Sequence, residues 1–235
     1  MRNRLVTTTA GTLLAAGLLG CEGQTSGHII GGPSGDARVR VFNALTSSQT
    51  INLLVDGQVA ASNVAFGAPS GYVALSLGSH RLQVQSPTTG TTLLDFTRDF
   101  AAEGSFSLVP APGLSQSGAL FIADDPTPVA GQGRVRVVHV AAAPGPVSVY
   151  VTAPDVELSS ATPAIPALDF AAVSQYVNIT PGTYRIRVTR ADNPSDVLLD
   201  TGGVIVGSGS VRSLFLTDSP GGGLPTTLSI VSDAT

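Results

Sequence analysis

The chain has 235 residues, a formal net charge of −4, and 43% hydrophobic but only 12% charged side chains. That apolar content excludes disorder for the bulk of the chain, and the length admits one large domain or two of ordinary size. All 12 basic residues are Arg, and the acidic balance excludes an electrostatic grip on nucleic acid.

From the N-terminus, "MRNR" supplies a positive start and "LVTTTAGTLLAAGLLG" an apolar run that stops at Cys21, the only cysteine. The run falls short of the roughly 20 apolar residues of a membrane-spanning helix, so residues 1–20 read as a secretory signal. Its tail, "LLGC", resembles the lipobox of bacterial lipoproteins. That resemblance implies a chain cut before Cys21, with a diacylglyceryl group on the thiol and a fatty acyl group such as palmitate on the new amine. Several acyl chains together anchor a protein durably, at about 0.8 kcal/mol per buried methylene. Residues 21–36 then form the lipidated cysteine and a Gly- and Ser-rich tether. Its reach is roughly 20–25 Å by flexible-chain statistics. Glu22, standing where inner-membrane lipoproteins carry Asp, points to the outer membrane of a bacterial envelope.

Beyond the tether, strand periodicity dominates. "RVRV" (38–41) sets Val39 and Val41 on one face and Arg38 and Arg40 on the other, the pattern of a half-buried strand. "INLLV" (51–55) sets Ile51, Leu53 and Val55 on one face and runs into Asp56–Gly57, a hairpin signal. "YVALSLGSHRLQV" (72–84) gives Val73, Leu75 and Leu77, a Gly-Ser turn, then Leu82 and Val84. No helical period of useful length occurs, so the fold class is all-β.

The second half answers the first. "RVRVVHV" (134–140) follows "RVRVFNA" (38–44), and "VSVYV" (147–151) follows "INLLV", both at an offset of 96. Phe66, Tyr72, Gly78 and Arg81 match Phe170, Tyr176, Gly182 and Arg185 at an offset of 104. The slip falls in "APDVELSSATPAIPAL" (153–168), an insertion of the second copy. Two tandem antiparallel β-sandwich domains are therefore expected, at 37–127 and 133–235, joined by a Pro- and Gly-rich linker and each folding as its own unit. The second copy carries Arg134, Val135, His139, Val147, Val149, Tyr150, Phe170, Ser174, Tyr176, Gly182 and Tyr184. These residues resemble the signature of exported bacterial repeats known as domain of unknown function 4397. The first copy departs, with Asn43 in place of His139 and His80 in place of Tyr184. The resemblance implies an immunoglobulin-like sandwich in envelope proteins and no reaction.

Candidate chemistry is sparse. The three histidines, His28, His80 and His139, are not at equivalent repeat positions. Nucleophile-elbow, zincin and phosphate-loop motifs do not occur. The expectation is not an enzyme and no cofactor. Asp124 and Asp125 are calcium candidates that would stiffen the interdomain junction, whereas "ADNPSD" (191–196) reads as a turn. Tyr72 and Tyr176 read as an equivalent structural contact rather than sugar platforms. The arginines of the "RVRV" and "YRIRV" strands read as a solvated outer face. Arg134, Arg136, Arg185, Arg187 and Arg190 form a candidate partner patch if their strands adjoin. The expectation is a lipid-anchored envelope protein acting as a non-catalytic binding, adhesion or structural module, with an envelope protein or polysaccharide as partner. Loop presentation and β-strand addition are its two expected modes. The alternatives are a carbohydrate-binding module, or a hydrolase or ligand carrier using the 153–168 insertion.

Overall fold

The computed structural model describes residues 36–114 and 118–233. The signal peptide, Cys21, the tether up to residue 35 and His28 lie outside the described residues.

The first half supplies β1 (Ala37–Val41), β2 (Thr50–Val55), β3 (Gln58–Ala65), β4 (Val73–Leu75), β5 (Gly78–Gln85), β6 (Thr92–Phe100), β7 (Gly104–Pro110) and β8 (Ala119–Asp124). They form two sheets, ordered β4-β1-β7-β8 and β3-β2-β5-β6. The second half supplies β9 (Gly133–Val140), β10 (Val147–Thr152), β11 (Ile165–Leu168), β12 (Ala172–Val173), β13 (Val177–Ile179), β14 (Gly182–Arg190), β15 (Val197–Val206), β16 (Val211–Thr217) and β17 (Thr227–Ser232). Their sheets run β12-β9-β16-β17, with β13 also on β9, and β11-β10-β14-β15. The fold is all-β, and the two halves repeat the same strand order. Most pairs are antiparallel, but β1 runs parallel to β7 and β9 parallel to β16.

Strand alternation explains the cores. Val39, Val41, Ile51, Leu53, Val55, Leu82 and Val84 all point into one apolar cluster shared by the first two sheets. Val135, Val137, Val147, Val149, Ile186 and Val188 do the same between the second two. Asp56 and Gly57 take φ of 50° and 80° between paired Val55 and Gln58, the doubly left-handed geometry of a two-residue hairpin. The expected Gly-Ser turn lies earlier than the spacing suggests: β5 already begins at Gly78, and Leu77 is exposed rather than in the core. Residues 153–168 contain a single 3-10 turn (Leu158–Ser160) and then β11, which pairs with β10 at the sheet edge.

A third apolar cluster crosses between the halves. Phe42, Ala44, Val109, Ala111 and Ile122 of the first half pack on Val138, Val140, Phe215 and Val231 of the second. The rings of Phe42 and Phe215 stack with centroids 3.9 Å apart and planes 10° apart. The sheet containing β1 thus lies face to face with the sheet containing β9.

Candidate functional site

The face-to-face seam decides where the "RVRV" arginines go. Alternation turns Val39, Val41, Val135 and Val137 into their own sandwiches and turns Arg38, Arg40, Arg134 and Arg136 the other way. That other way is the seam and not solvent. Arg40 is 2% and Arg136 3% exposed, so the expected solvated arginine face is corrected at these two positions. Alternation fixes a side chain's face; what covers that face depends on the other half of the chain.

Each buried guanidinium then crosses over. Arg40 pairs with Asp233 and donates from Nη1 to the Ser232 carbonyl at 3.0 Å. Its Nε donates to Ser107 Oγ at 2.8 Å within its own half. Arg136 reciprocates, pairing with Asp124, donating to the Ala123 carbonyl at 3.0 Å and to Ser213 Oγ at 2.7 Å. Ser107 and Ser213 donate onward to Asp124 and Asp233 at 2.7 and 2.6 Å. Tyr72 and Tyr176 close the network, donating to Asp124 and Asp233 at 2.7 and 2.8 Å. Arg40 lies over the Tyr72 ring and Arg136 over the Tyr176 ring, each 4.7 Å from the centroid, a favourable cation–π placement. Burial, with Asp124 next, pushes the Tyr72 phenol upward. Burial does the same to Tyr176, against the lowering field of Arg136. Both phenols therefore remain protonated donors across the physiological range. Every buried charge at the seam has a counter-charge and hydrogen bonds, the condition under which a buried ion pair is tolerated.

This geometry corrects two expectations. The Asp124 carboxylate is filled by Arg136, Ser107 and Tyr72, and Asp125 is engaged by Arg134 at 2.7 Å. The hydrogen bond from Arg134, followed by one from Thr127, holds the Asp125 carboxyl down at about 2. Neither aspartate is free for calcium, and among the described residues no cluster of three potential ligands occurs. Nor do the five arginines form one patch. Arg134 and Arg136 sit on β9, whereas Arg185, Arg187 and Arg190 sit on β14 of the opposite sheet. Arg136 and Arg187 are buried, while Arg185 and Arg190 are paired with Asp200 and Asp196.

Two grooves flank the seam at corresponding places. One, of about 480 Å³, is lined by Phe121 and Asp125 from the first half and Arg134, Ser174, Gln175 and Tyr176 from the second. The other, of about 570 Å³, is lined by Arg38, Ser70 and Tyr72 together with Ile230 and Ser232. Both halves contribute to each.

The histidines separate. His139 is fully buried, donates from Nε2 to the Gly145 carbonyl at 2.9 Å, and leaves Nδ1 without a partner. Burial pushes its pKa down, so it sits neutral in the strand. Since a carbonyl only accepts, Nε2 carries the proton. His80 makes a triad-like line that sequence spacing concealed: Asp56 Oδ2 lies 2.6 Å from Nδ1, and Ser76 Oγ 3.2 Å from Nε2. Yet Nε2 also lies 3.0 Å from the Ser76 carbonyl. Nε2 therefore meets both the backbone and the hydroxyl of one residue, Ser76. The trio pins the exposed hairpin end, where Asp56 also accepts from the Arg81 amide at 2.9 Å.

A family described as Domain of unknown function (DUF4397) matches residues 37–150. That stretch takes in β1–β8 and continues through β9 into β10, so it crosses the seam and includes Arg40, Asp124 and Arg136. No curated protein matches the chain. Among solved structures, the carbohydrate-binding module CBMbc (family CBM26) from Eubacterium rectale Amy13K, in complex with maltoheptaose, is similar at 9% identity. The overlap covers 84% of this chain and 98% of that one, at a TM-score of 0.27. A proposed adhesin from Bacteroides ovatus overlaps 85% of this chain and 94% of its own at 10% identity and a TM-score of 0.27. A proposed cell adhesion protein from Bacteroides fragilis overlaps 84% and 98% at 9% identity and 0.21. Likenesses that loose leave the function to be read from the chain itself.

Proposed function

We propose that the chain is a lipid-anchored protein of the bacterial cell envelope, held through Cys21 at the outer membrane, whose two sandwiches act as a non-catalytic binding or adhesion head. The observation that carries this reading is the reciprocal crossing of Arg40 to Asp233 and Arg136 to Asp124. It uses four buried charges to fix one half against the other. That is the requirement of a presented surface rather than of a reaction centre. The tether gives reach, and the two grooves at the seam offer equivalent mixed polar and apolar surfaces to an envelope polysaccharide or protein. The polar groove holding Arg134, Asp125, Gln175 and Ser174 favours carbohydrate among these partners, because paired charged and amide groups match sugar hydroxyls. The 153–168 segment is tied to the sheet by β11 on β10 and by its Pro154 and Val156 carbonyls, which accept from Arg185 and Arg187.

Labelling cells with a clickable palmitate analogue tests the anchor. The wild-type chain incorporates label and fractionates with the outer membrane; Cys21→Ser loses both and becomes soluble in the periplasm. Membrane retention of the serine variant would overturn the anchor. Pull-down of envelope polysaccharide by that soluble variant tests the head.

A further inference from the structure

The two grooves at the seam are built from matching residues. Arg38 stands beside Ser105 across β1 and β7, as Arg134 stands beside Val211 across β9 and β16. Ser70 accepts from the Val41 amide at 3.0 Å, and Ser174 from the Val137 amide at 2.9 Å. Ile122 faces Ser107 and Val231 faces Ser213, so Phe121 of the first groove corresponds to Ile230 of the second. Arg134 and Tyr176 line the first groove, and Arg38 and Tyr72 line the second.

In the first groove the arginine already holds a peptide, residues 125–127 of the chain itself. Arg134 Nη2 donates to Asp125 Oδ2 at 2.7 Å and Nη1 to the Thr127 carbonyl at 2.6 Å, with the guanidinium 4.4 Å from the Tyr176 centroid. One guanidinium thus takes an aspartate side chain and a main-chain carbonyl two residues on. In the second groove the arginine stands without that peptide. Ala234 follows Asp233 in the sequence, where Asp125 follows Asp124. Arg38 donates from Nη2 to Ser105 Oγ at 3.1 Å and lies 5.7 Å from the Tyr72 centroid. Among the described residues it makes no ion pair, whereas Arg40, Arg134 and Arg136 each make one. Asp36, Glu103 and Asp125 border a separate groove that Arg38 also lines, and none of the three pairs with it. The second groove, of about 570 Å³, has no acidic side chain in its lining among the described residues. Pro69, Ala74 and Ile230 give it apolar walls, and Ile230 is 37% exposed.

A guanidinium presents a fork of donors that matches a carboxylate, and the repeat shows that match made once and left open once. We propose that the second groove binds an aspartate-bearing peptide segment of a partner protein, with Arg38 taking its carboxylate as Arg134 takes that of Asp125. Ile230 and Pro69 pack against the flanking residues of the segment. The proposal rests on the reading of the chain as a binding head and names a protein partner for one of its two grooves.

The probe is the peptide acetyl-Asp-Pro-Thr-amide, the chain's own sequence at 125–127. It is titrated into the mature chain made soluble by Cys21→Ser while the arginine Nε–Hε signals are followed by NMR. The Arg38 signal shifts and saturates, and the Arg134 signal stays in place because Asp125 occupies that guanidinium. An Asn-Pro-Thr peptide, or the Arg38→Gln variant, weakens binding by about tenfold or more, the loss of a charge-assisted hydrogen bond. Asp125→Ala, which leaves Arg38 intact, frees Arg134, and the peptide then shifts both signals. No saturable Arg38 shift, an equal response to the Asn peptide, or binding that survives in Arg38→Gln would overturn the site. So would an Arg134 signal that still ignores the peptide in Asp125→Ala, since the first groove would then be no template for the second. An equal response to glucuronate would replace the peptide with an acidic sugar. An Arg38 shift seen only after deletion of residues 234 and 235 would place the chain's own end on Arg38 and overturn the partner. The palmitate labelling and the polysaccharide pull-down read the anchor and the head independently of all these outcomes.

Discussion

Asp233 shows how one side chain ties the molecule together. Its carboxylate accepts from Arg40, Ser213 and Tyr176, and it is fully buried. Asp233→Ala leaves Arg40 as a buried cation with its main partner gone, and removing one member of a buried pair costs about 3–5 kcal/mol. Urea unfolding should show that loss as a shift of midpoint at unchanged slope. The double variant Arg40→Met with Asp233→Ala recovers much of it, because no charge is then left unpaired. Little of this was legible from residue types. The "RVRV" alternation placed the valines in the cores, but no local pattern distinguishes a strand face covered by water from one covered by another sheet. Asp124 and Asp125 look like oxygen ligands in sequence for the same reason: two neighbouring carboxylates at a junction look alike whether their partner is a metal ion or an arginine.

Among the elements, strands were the most legible part of the sequence and their edges the least. Asp56–Gly57 announced its hairpin because both residues must take positive φ, which few residue pairs tolerate. Gly133, at the start of β9, announced nothing. A Cβ placed there would lie 2.3 Å from Val206 Cγ1 and 3.2 Å from the Gly207 carbonyl. Gly133 is thus required by close approach of β9 to the end of β15, not by its φ. Gly133→Ala should cost about 1–3 kcal/mol, the range of an overpacked core, read as a lower denaturation midpoint. The slip in offset across residues 153–168 marked an insertion, and the structure ties it down: its Val156 carbonyl accepts from Arg187, and it ends in β11 paired with β10. The parallel pairing of β1 with β7 and of β9 with β16 had no sequence signal, since alternation is the same in either direction.

For the whole molecule, sequence spacing suggested two sandwiches folding separately at 37–127 and 133–235. The seam argues for stronger coupling. Phe42 and Phe215 are both fully buried only because the halves meet, and Arg40 and Arg136 each find their carboxylate in the other half. Separation would expose a contiguous apolar face and strip both guanidinium groups of their partners, so each half should lose stability when expressed alone. The most direct measurement is differential scanning calorimetry of the soluble mature chain. A head locked by the crossing arginines unfolds in one transition whose calorimetric and van't Hoff enthalpies agree. Two resolved transitions, with one half melting while the other persists, would contradict it.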